Sequence, residues 1–164
     1  MTPHDIEALA RRVIEAAKAK ELMLATAESC TGGLVAGALT GIAGSSAVVD
    51  CGFVTYSNAA KARMLGLPAD LIESWGAVSE PVAREMAQGA LGRSQAQISV
   101  AVTGIAGPGG GSPAKPVGLV HFAAAGPTGV VHHEARFGDI GRERVRQASV
   151  EQALHMLVER IAAA

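Results

Sequence analysis

Three stretches of this chain group polar side chains with glycine in ways that could do chemistry. The first is Glu28-Ser29-Cys30-Thr31-Gly32-Gly33, which follows a short apolar run at Leu22–Ala27 and precedes Leu34–Leu39. A nucleophile at a helix start benefits from unpaired backbone N–H groups and the positive end of the helix dipole. Ser29 is such a nucleophile, and N–H groups near Gly32 and Gly33 could hold an oxyanion. A plainer reading also fits: Ser29 or Thr31 caps the helix and the glycines make the turn. Cys30 offers a competing nucleophile, because a thiol at a helix N-terminus acidifies. It is equally a small residue suited to burial. The turn is not a G-x-S-x-G elbow, since positions 27 and 31 are Ala and Thr.

The second stretch is Tyr56-Ser57-Asn58 with Lys61, one turn into a short helix. A lysine becomes a base only when burial or a cationic neighbour lowers its pKa. On spacing alone Lys61 reads as a solvated charge. The third is the loop from Thr103 to Pro116, which carries Gly104, Gly107, Gly109, Gly110 and Gly111. Glycine lets backbone N–H groups approach an anion closely. The loop is not a P-loop, because no Gly-Lys-Ser/Thr follows. Nor is it a dinucleotide fingerprint, since Ser112 stands at the third glycine position and a strand follows. A loop this long is usually functional or disordered, and ligand binding is the expectation.

The remaining polar residues say less. His132 and His133 are neighbours in a strand and face opposite ways. His121 and His155 have no partner at a familiar ligand spacing, so no metal site is expected. Arg142 and Arg146 are either a solvated helix face or contacts to a phosphate.

The elements that must position these groups alternate along the chain. An amphipathic helix is expected over residues 3–20, with Ile6, Leu9, Val13, Ile14 and Ala17 inward, Thr2 as cap and Pro3 in the first turn. Strands are expected at Leu22–Ala27, residues 47–56 and Ile98–Val102. Helices are expected over 34–39, 59–65 capped by Ser57-Asn58, a stretch from Pro68 to Trp75, and 80–92 capped by Ser79. Val117–Ala124 and Val130–Phe137 flank Gly126-Pro127-Thr128-Gly129 and read as a hairpin. A last helix covers 141–163, with Val145, Ala148, Leu154, Leu157 and Ile161 inward. This pattern predicts an α/β domain with a mixed sheet covered by helices on both faces. Turns 28–33 and 103–116 then lie where functional loops gather.

Composition bounds the rest. The chain has 164 residues, 32 of them Ala and 20 Gly, with 14 basic and 15 acidic side chains. That length fits one domain, residues 1–164. The charge balance and the scarcity of aromatic residues argue against nucleic-acid binding. Two cysteines suit a reducing cytosol, so a cytoplasmic setting is expected. Residues 29–49, 94–114 and 116–133 carry no Asp, Glu, Lys or Arg, but their glycines and prolines read as buried α/β segments rather than membrane spans.

Taken together, five motifs resemble the CinA C-terminal domain family: Ala-Glu-Ser-Cys-Thr-Gly-Gly-Leu at 27–34, Val-Thr-Tyr-Ser-Asn-Ala-Ala-Lys at 54–61, Gly-Ala-Val-Ser at 76–79, Thr-Gly-Ile-Ala-Gly-Pro at 103–108 and Lys-Pro-Val-Gly at 115–118. The resemblance spans nearly the whole chain. It implies a three-layer α/β/α fold, a homodimer and a stand-alone version of the domain. It also implies a nicotinamide-nucleotide amidohydrolase, converting nicotinamide mononucleotide to nicotinic acid mononucleotide and ammonia without metal or cofactor. Under it, Ser29 is the nucleophile, Lys61 its base and Tyr56 a donor or proton relay. Backbone N–H groups at Thr31, Gly32 and Gly33 would receive the oxyanion. Glu28 would fix Lys61 or a ribose hydroxyl. Thr103, Gly104, Gly107 and Gly109 would line the nucleotide pocket, and Arg142 and Lys115 are its candidates for the phosphate. Where the family reads Gly-Asp-Arg, this chain has Gly138-Asp139-Ile140-Gly141-Arg142. The alternative is a non-catalytic module that binds a nucleotide or a partner linked to competence and DNA damage.

Overall fold

Five strands and six helices alternate in the structure, a computed structural model that describes residues 3–164. In chain order they are α1 (Pro3–Lys20), β1 (Leu24–Glu28), α2 (Leu34–Thr40), β2 (Val49–Val54), α3 (Asn58–Leu65) and α4 (Ala69–Trp75). There follow α5 (Glu80–Gly92), β3 (Ile98–Gly104), β4 (Leu119–Gly126), β5 (Gly129–Arg136) and α6 (Arg142–Ala162). The expected cap at Thr2 lies outside the described residues. The sheet order is β2-β1-β3-β4-β5. The first three strands are parallel, and the hairpin β4–β5 adds antiparallel to β3. Helices α1, α2 and α6 cover one face and α3, α4 and α5 the other, giving an α/β fold in three layers.

The two faces differ in kind. Towards α1 and α6 the sheet presents Leu24, Val100, Val102, Val120 and Phe122. Towards α5 it presents Ala25, Ala27, Ala101, Ala123 and Ala125, met by Ala83, Ala87 and Ala90 of the helix. Methyl against methyl brings α5 close to the strands, and Ser99 Oγ donates to Ala87 C=O at 2.7 Å. The C-terminal end of α3 then abuts α5. At Gly89 there is no room for a side chain, because a Cβ there would collide with the carbonyl oxygen of Leu65.

Several ends and caps differ from the sequence expectation. Strand β1 runs on through Glu28 because its backbone pairs with Val54 on one side and Val102 on the other. Strand β3 likewise reaches Gly104, paired with Val120. Helix α2 is capped neither by Ser29 nor by Thr31: its N-cap is Gly33, at φ 105°. Ser57 caps α3 by accepting the Ala60 N–H. Ser79 stands at the N-cap of α5, but its hydroxyl donates to Gly76 C=O at 2.9 Å instead. In α6, Ala148 is half-buried, while Ser149, Val150, Ala153 and Met156 join the core. Among the described residues no helix is long and apolar enough to cross a membrane.

Gly89 gives the packing a direct check. Helix propensity favours Ala over Gly by about 1 kcal/mol. Overpacking costs about 1–3 kcal/mol, so Gly89→Ala should lower the midpoint of urea unfolding. A raised midpoint would show that α3 and α5 separate without cost.

Candidate active site

The end of β1 delivers Ser29 to the rim of the sheet. Its N–H donates to Val102 C=O at 2.9 Å, and its C=O accepts the Gly32 N–H at 3.0 Å. From α3, which follows the neighbouring strand β2, comes Lys61, one of the largest fully buried side chains among the described residues. Its Nζ lies 2.9 Å from Ser29 Oγ, 2.9 Å from Thr55 C=O and 3.3 Å from Tyr56 C=O. Among the described residues, no carboxylate forms an ion pair with it.

That environment makes the amine easier to deprotonate. Burying an ammonium without a counter-charge is costly, so the group releases its proton instead. Desolvation pulls the Lys61 pKa down from 10.5 to about 8. A neutral amine has two N–H bonds and one lone pair. The two carbonyls take the N–H bonds, and the lone pair is left for the Ser29 hydroxyl. Cys30, next to Ser29, moves the other way: burial raises its thiol to about 11, with the Glu28 charge adding to the rise. At neutral pH the thiol stays protonated, which leaves Ser29 as the activated group.

Ser29 and Lys61 open into a cleft of about 270 Å³. Its walls include Thr103, Gly104, Gly107 and Gly109 from the glycine loop, with Tyr56 and Arg142. Thr103 Oγ1 donates to Ala77 C=O at 2.9 Å and so ties the loop before α5 to the strand end. Gly104 is needed for packing, since a Cβ there would lie 2.6 Å from Val120 Cγ2. Arg142 spans the mouth, donating to Gly107 C=O and to the Tyr56 hydroxyl, both at 2.9 Å.

Other expected site residues are placed elsewhere. Glu28 touches neither Lys61 nor the cleft. Both its carboxylate oxygens accept backbone N–H groups of α2, from Val35 at 2.9 Å and Ala36 at 3.0 Å. It is the cap that the sequence reading sought at Ser29 or Thr31. Thr31, Gly32 and Gly33 do not line the cleft, and the Gly32 N–H is engaged by Ser29 C=O. Lys115 points to a separate cavity beside His121, where its Nζ donates to Trp75 C=O at 2.6 Å. Arg146 donates to the carbonyls of Cys30 and Thr31. His121 and His132 bond to each other at 2.9 Å. Among the described residues no group of three or more His, Cys, Asp or Glu is placed to hold a metal.

Residues to which the sequence reading gave no site role also line the cleft: Asn58, Ala77, Val78, Ile105, Ala106 and Gly110. Ala106 and Gly107 matter most. Among the described residues their N–H groups have no hydrogen-bond acceptor, whereas the Ile105 N–H is engaged by Leu119 C=O. The family resemblance already places Gly107 in the nucleotide pocket, and Ala106 lies beside it in the motif at 103–108.

The family model for the CinA C-terminal domain matches residues 6–161. A CinA-like protein from Synechococcus sp. (strain RCC307) is 51% identical over 154 residues, covering 93% of this chain and 37% of that protein. The chain thus spans little more than a third of the length of the curated relatives it matches. Among solved structures, the competence/damage inducible protein CihA from Agrobacterium tumefaciens is 61% identical, with a TM-score of 0.94 and 97% of both chains covered. A CinA superfamily protein from Klebsiella pneumoniae is 37% identical, with a TM-score of 0.92 over 97% of this chain and 99% of that one.

The buried amine has a signature in stability. Its folded pKa of about 8 lies below the unfolded value of 10.5, so between those pH values the unfolded chain binds more protons. Below pH 8 both states are protonated and the burial penalty is complete; above 10.5 it vanishes. The stability of the parent relative to Lys61→Met should therefore rise across this window, by about 3 kcal/mol in total. Denaturant titrations at stepped pH measure it. A flat difference would mean that the folded amine keeps its proton.

Proposed function

The chain belongs to the CinA C-terminal domain family, and from that premise we propose that it is an amidohydrolase acting on nicotinamide mononucleotide. The products are nicotinic acid mononucleotide and ammonia. The observation that carries this reading is the 2.9 Å contact between Ser29 Oγ and a buried Lys61 amine that has no carboxylate ion-pair partner among the described residues.

Neutral Lys61 takes the Ser29 proton as Oγ attacks the carboxamide carbon. The tetrahedral oxyanion faces the free N–H groups of Ala106 and Gly107. The Lys61 ammonium returns a proton to the departing nitrogen, and ammonia leaves an ester on Ser29. Water, deprotonated by Lys61, attacks that ester; the Lys61 ammonium returns the proton to Ser29 Oγ as the ester bond breaks and the acid is released. Tyr56 stands at the mouth, where its hydroxyl donates to the ribose or relays a proton. The phosphate falls to Arg142, because Lys115 belongs to another cavity. On binding, phosphate oxygens replace Tyr56 Oη and Gly107 C=O as partners of the guanidinium, and a bidentate pair forms. Homodimer formation and a cytoplasmic setting are parts of the same proposal.

Ammonia release from nicotinamide mononucleotide tests the reaction. Ser29→Ala should lower kcat by about a thousandfold or more with an unchanged melting temperature, and Lys61→Met should lose as much in kcat. Cys30→Ser should stay active. Because the base must be neutral, kcat/KM should climb with pH and reach half its plateau near 8. Full turnover by Ser29→Ala would sink the nucleophile. No ammonia from the parent, with nucleotide binding retained, would point to the non-catalytic module.

A further inference from the structure

Arg146 takes no part in the steps above, yet it is bonded to the turn that carries the nucleophile. It lies one helical turn after Arg142 on α6, and its Nε donates to Cys30 C=O at 3.1 Å. Its Nη2 donates to Thr31 C=O at 3.3 Å, a carbonyl shared with the Leu34 N–H. Among the described residues no carboxylate forms an ion pair with this guanidinium, so its charge is directed at the two carbonyls. Gly32 lies against it: at φ +57°, a Cβ there would sit 3.4 Å from Nη2. Unlike Arg142, Arg146 does not line the cleft.

From this placement we infer that Arg146 is a positioning residue for Ser29. Three grips hold the nucleophile's turn. Val102 of the sheet takes the Ser29 N–H, Glu28 holds the first N–H groups of α2, and Arg146 fixes two successive peptide planes between them. Charge-assisted bonds are stronger than neutral ones. Without the guanidinium, Cys30 C=O has no donor among the described residues, and its peptide is free to turn towards water. Such a turn displaces the neighbouring Ser29 from Lys61. The inference rests on the amidase reading for its substrate but not for its geometry.

The test compares the parent with Arg146→Ala and Arg146→Lys in the full chain, each scaled to its folded fraction by thermal melting. With nicotinamide mononucleotide, Arg146→Ala should lose about 10- to 100-fold in kcat, with KM within about threefold. Guanidinium ion should restore part of that loss, and sodium at equal concentration should not. Arg146→Lys should fall between. The ratio of kcat/KM for nicotinamide mononucleotide over nicotinamide riboside should be unchanged, since the phosphate is not at stake. Unchanged kcat, or a KM increase confined to the phosphorylated substrate, overturns the inference, as does a loss that guanidinium does not reverse. If the parent releases no ammonia, the substrate reading fails and the inference is read from Ser29 itself. A fluorophosphonate then forms an Oγ–P bond, fluoride leaves, and the hydroxyl proton passes to Lys61. Arg146→Ala should label about tenfold more slowly, with recovery in guanidinium. Equal labelling rates overturn it.

Discussion

Everything at this site depends on one amine being kept from water. Lys61 is 1% exposed and surrounded by a hydroxyl and two carbonyl oxygens. An ammonium in that place would meet acceptors but no negative charge, and the desolvation cost exceeds what neutral acceptors return. The proton leaves near pH 8 rather than 10.5, and a weak surface base becomes a usable one. A carboxylate beside it would undo the effect by stabilising the charged form. Glu28, the neighbour of Ser29 in the chain, is held away with both oxygens on the start of α2. The same two bonds that cap a helix therefore leave the amine without that counter-charge.

Keeping the amine dry is the work of the layer behind it. Ser57 caps the short helix that carries Lys61, and the alanine face of the sheet lets α5 come close enough to back that helix. On the other side of the cleft, Thr103 ties the strand end to the loop before α5, and Gly104 allows β4 to lie against it. Strand pairing on both sides of β1 then holds Ser29 at a fixed height.

Much of this was legible in the residues. The element order, the hairpin and helices α1 and α5 follow from apolar spacing, with Pro3 in the first turn of α1. Elsewhere, local types misled. Glu28 reads as a turn residue, yet backbone pairing on both sides keeps it in the strand. Lys61 reads as a surface charge, because nothing local reveals that sheet and helices close over it. The helix cap was sought in Ser29 and Thr31, the residue types that usually cap, whereas a carboxylate from the preceding strand reaches forward instead. Gly32 and Gly33 suggested an oxyanion hole, but one of their N–H groups is engaged by the turn itself. The N–H groups of Ala106 and Gly107, unengaged and on the cleft wall, lie about 75 residues further on, brought near because β3 pairs with β1.

The unequal faces of the sheet also set where this chain can drift. On the α1 and α6 side, leucine, valine and isoleucine fill the space, and exchanges that conserve volume keep the packing. On the α5 side there is almost no volume to conserve. Alanine can shrink to glycine, but any larger residue must push a helix off the sheet, and α3 moves with α5. Substitutions there reach the chemistry through the depth of one amine, without touching a residue of the cleft. The alanine layer is therefore the part of the core where sequence change and the acidity of the base are mechanically coupled.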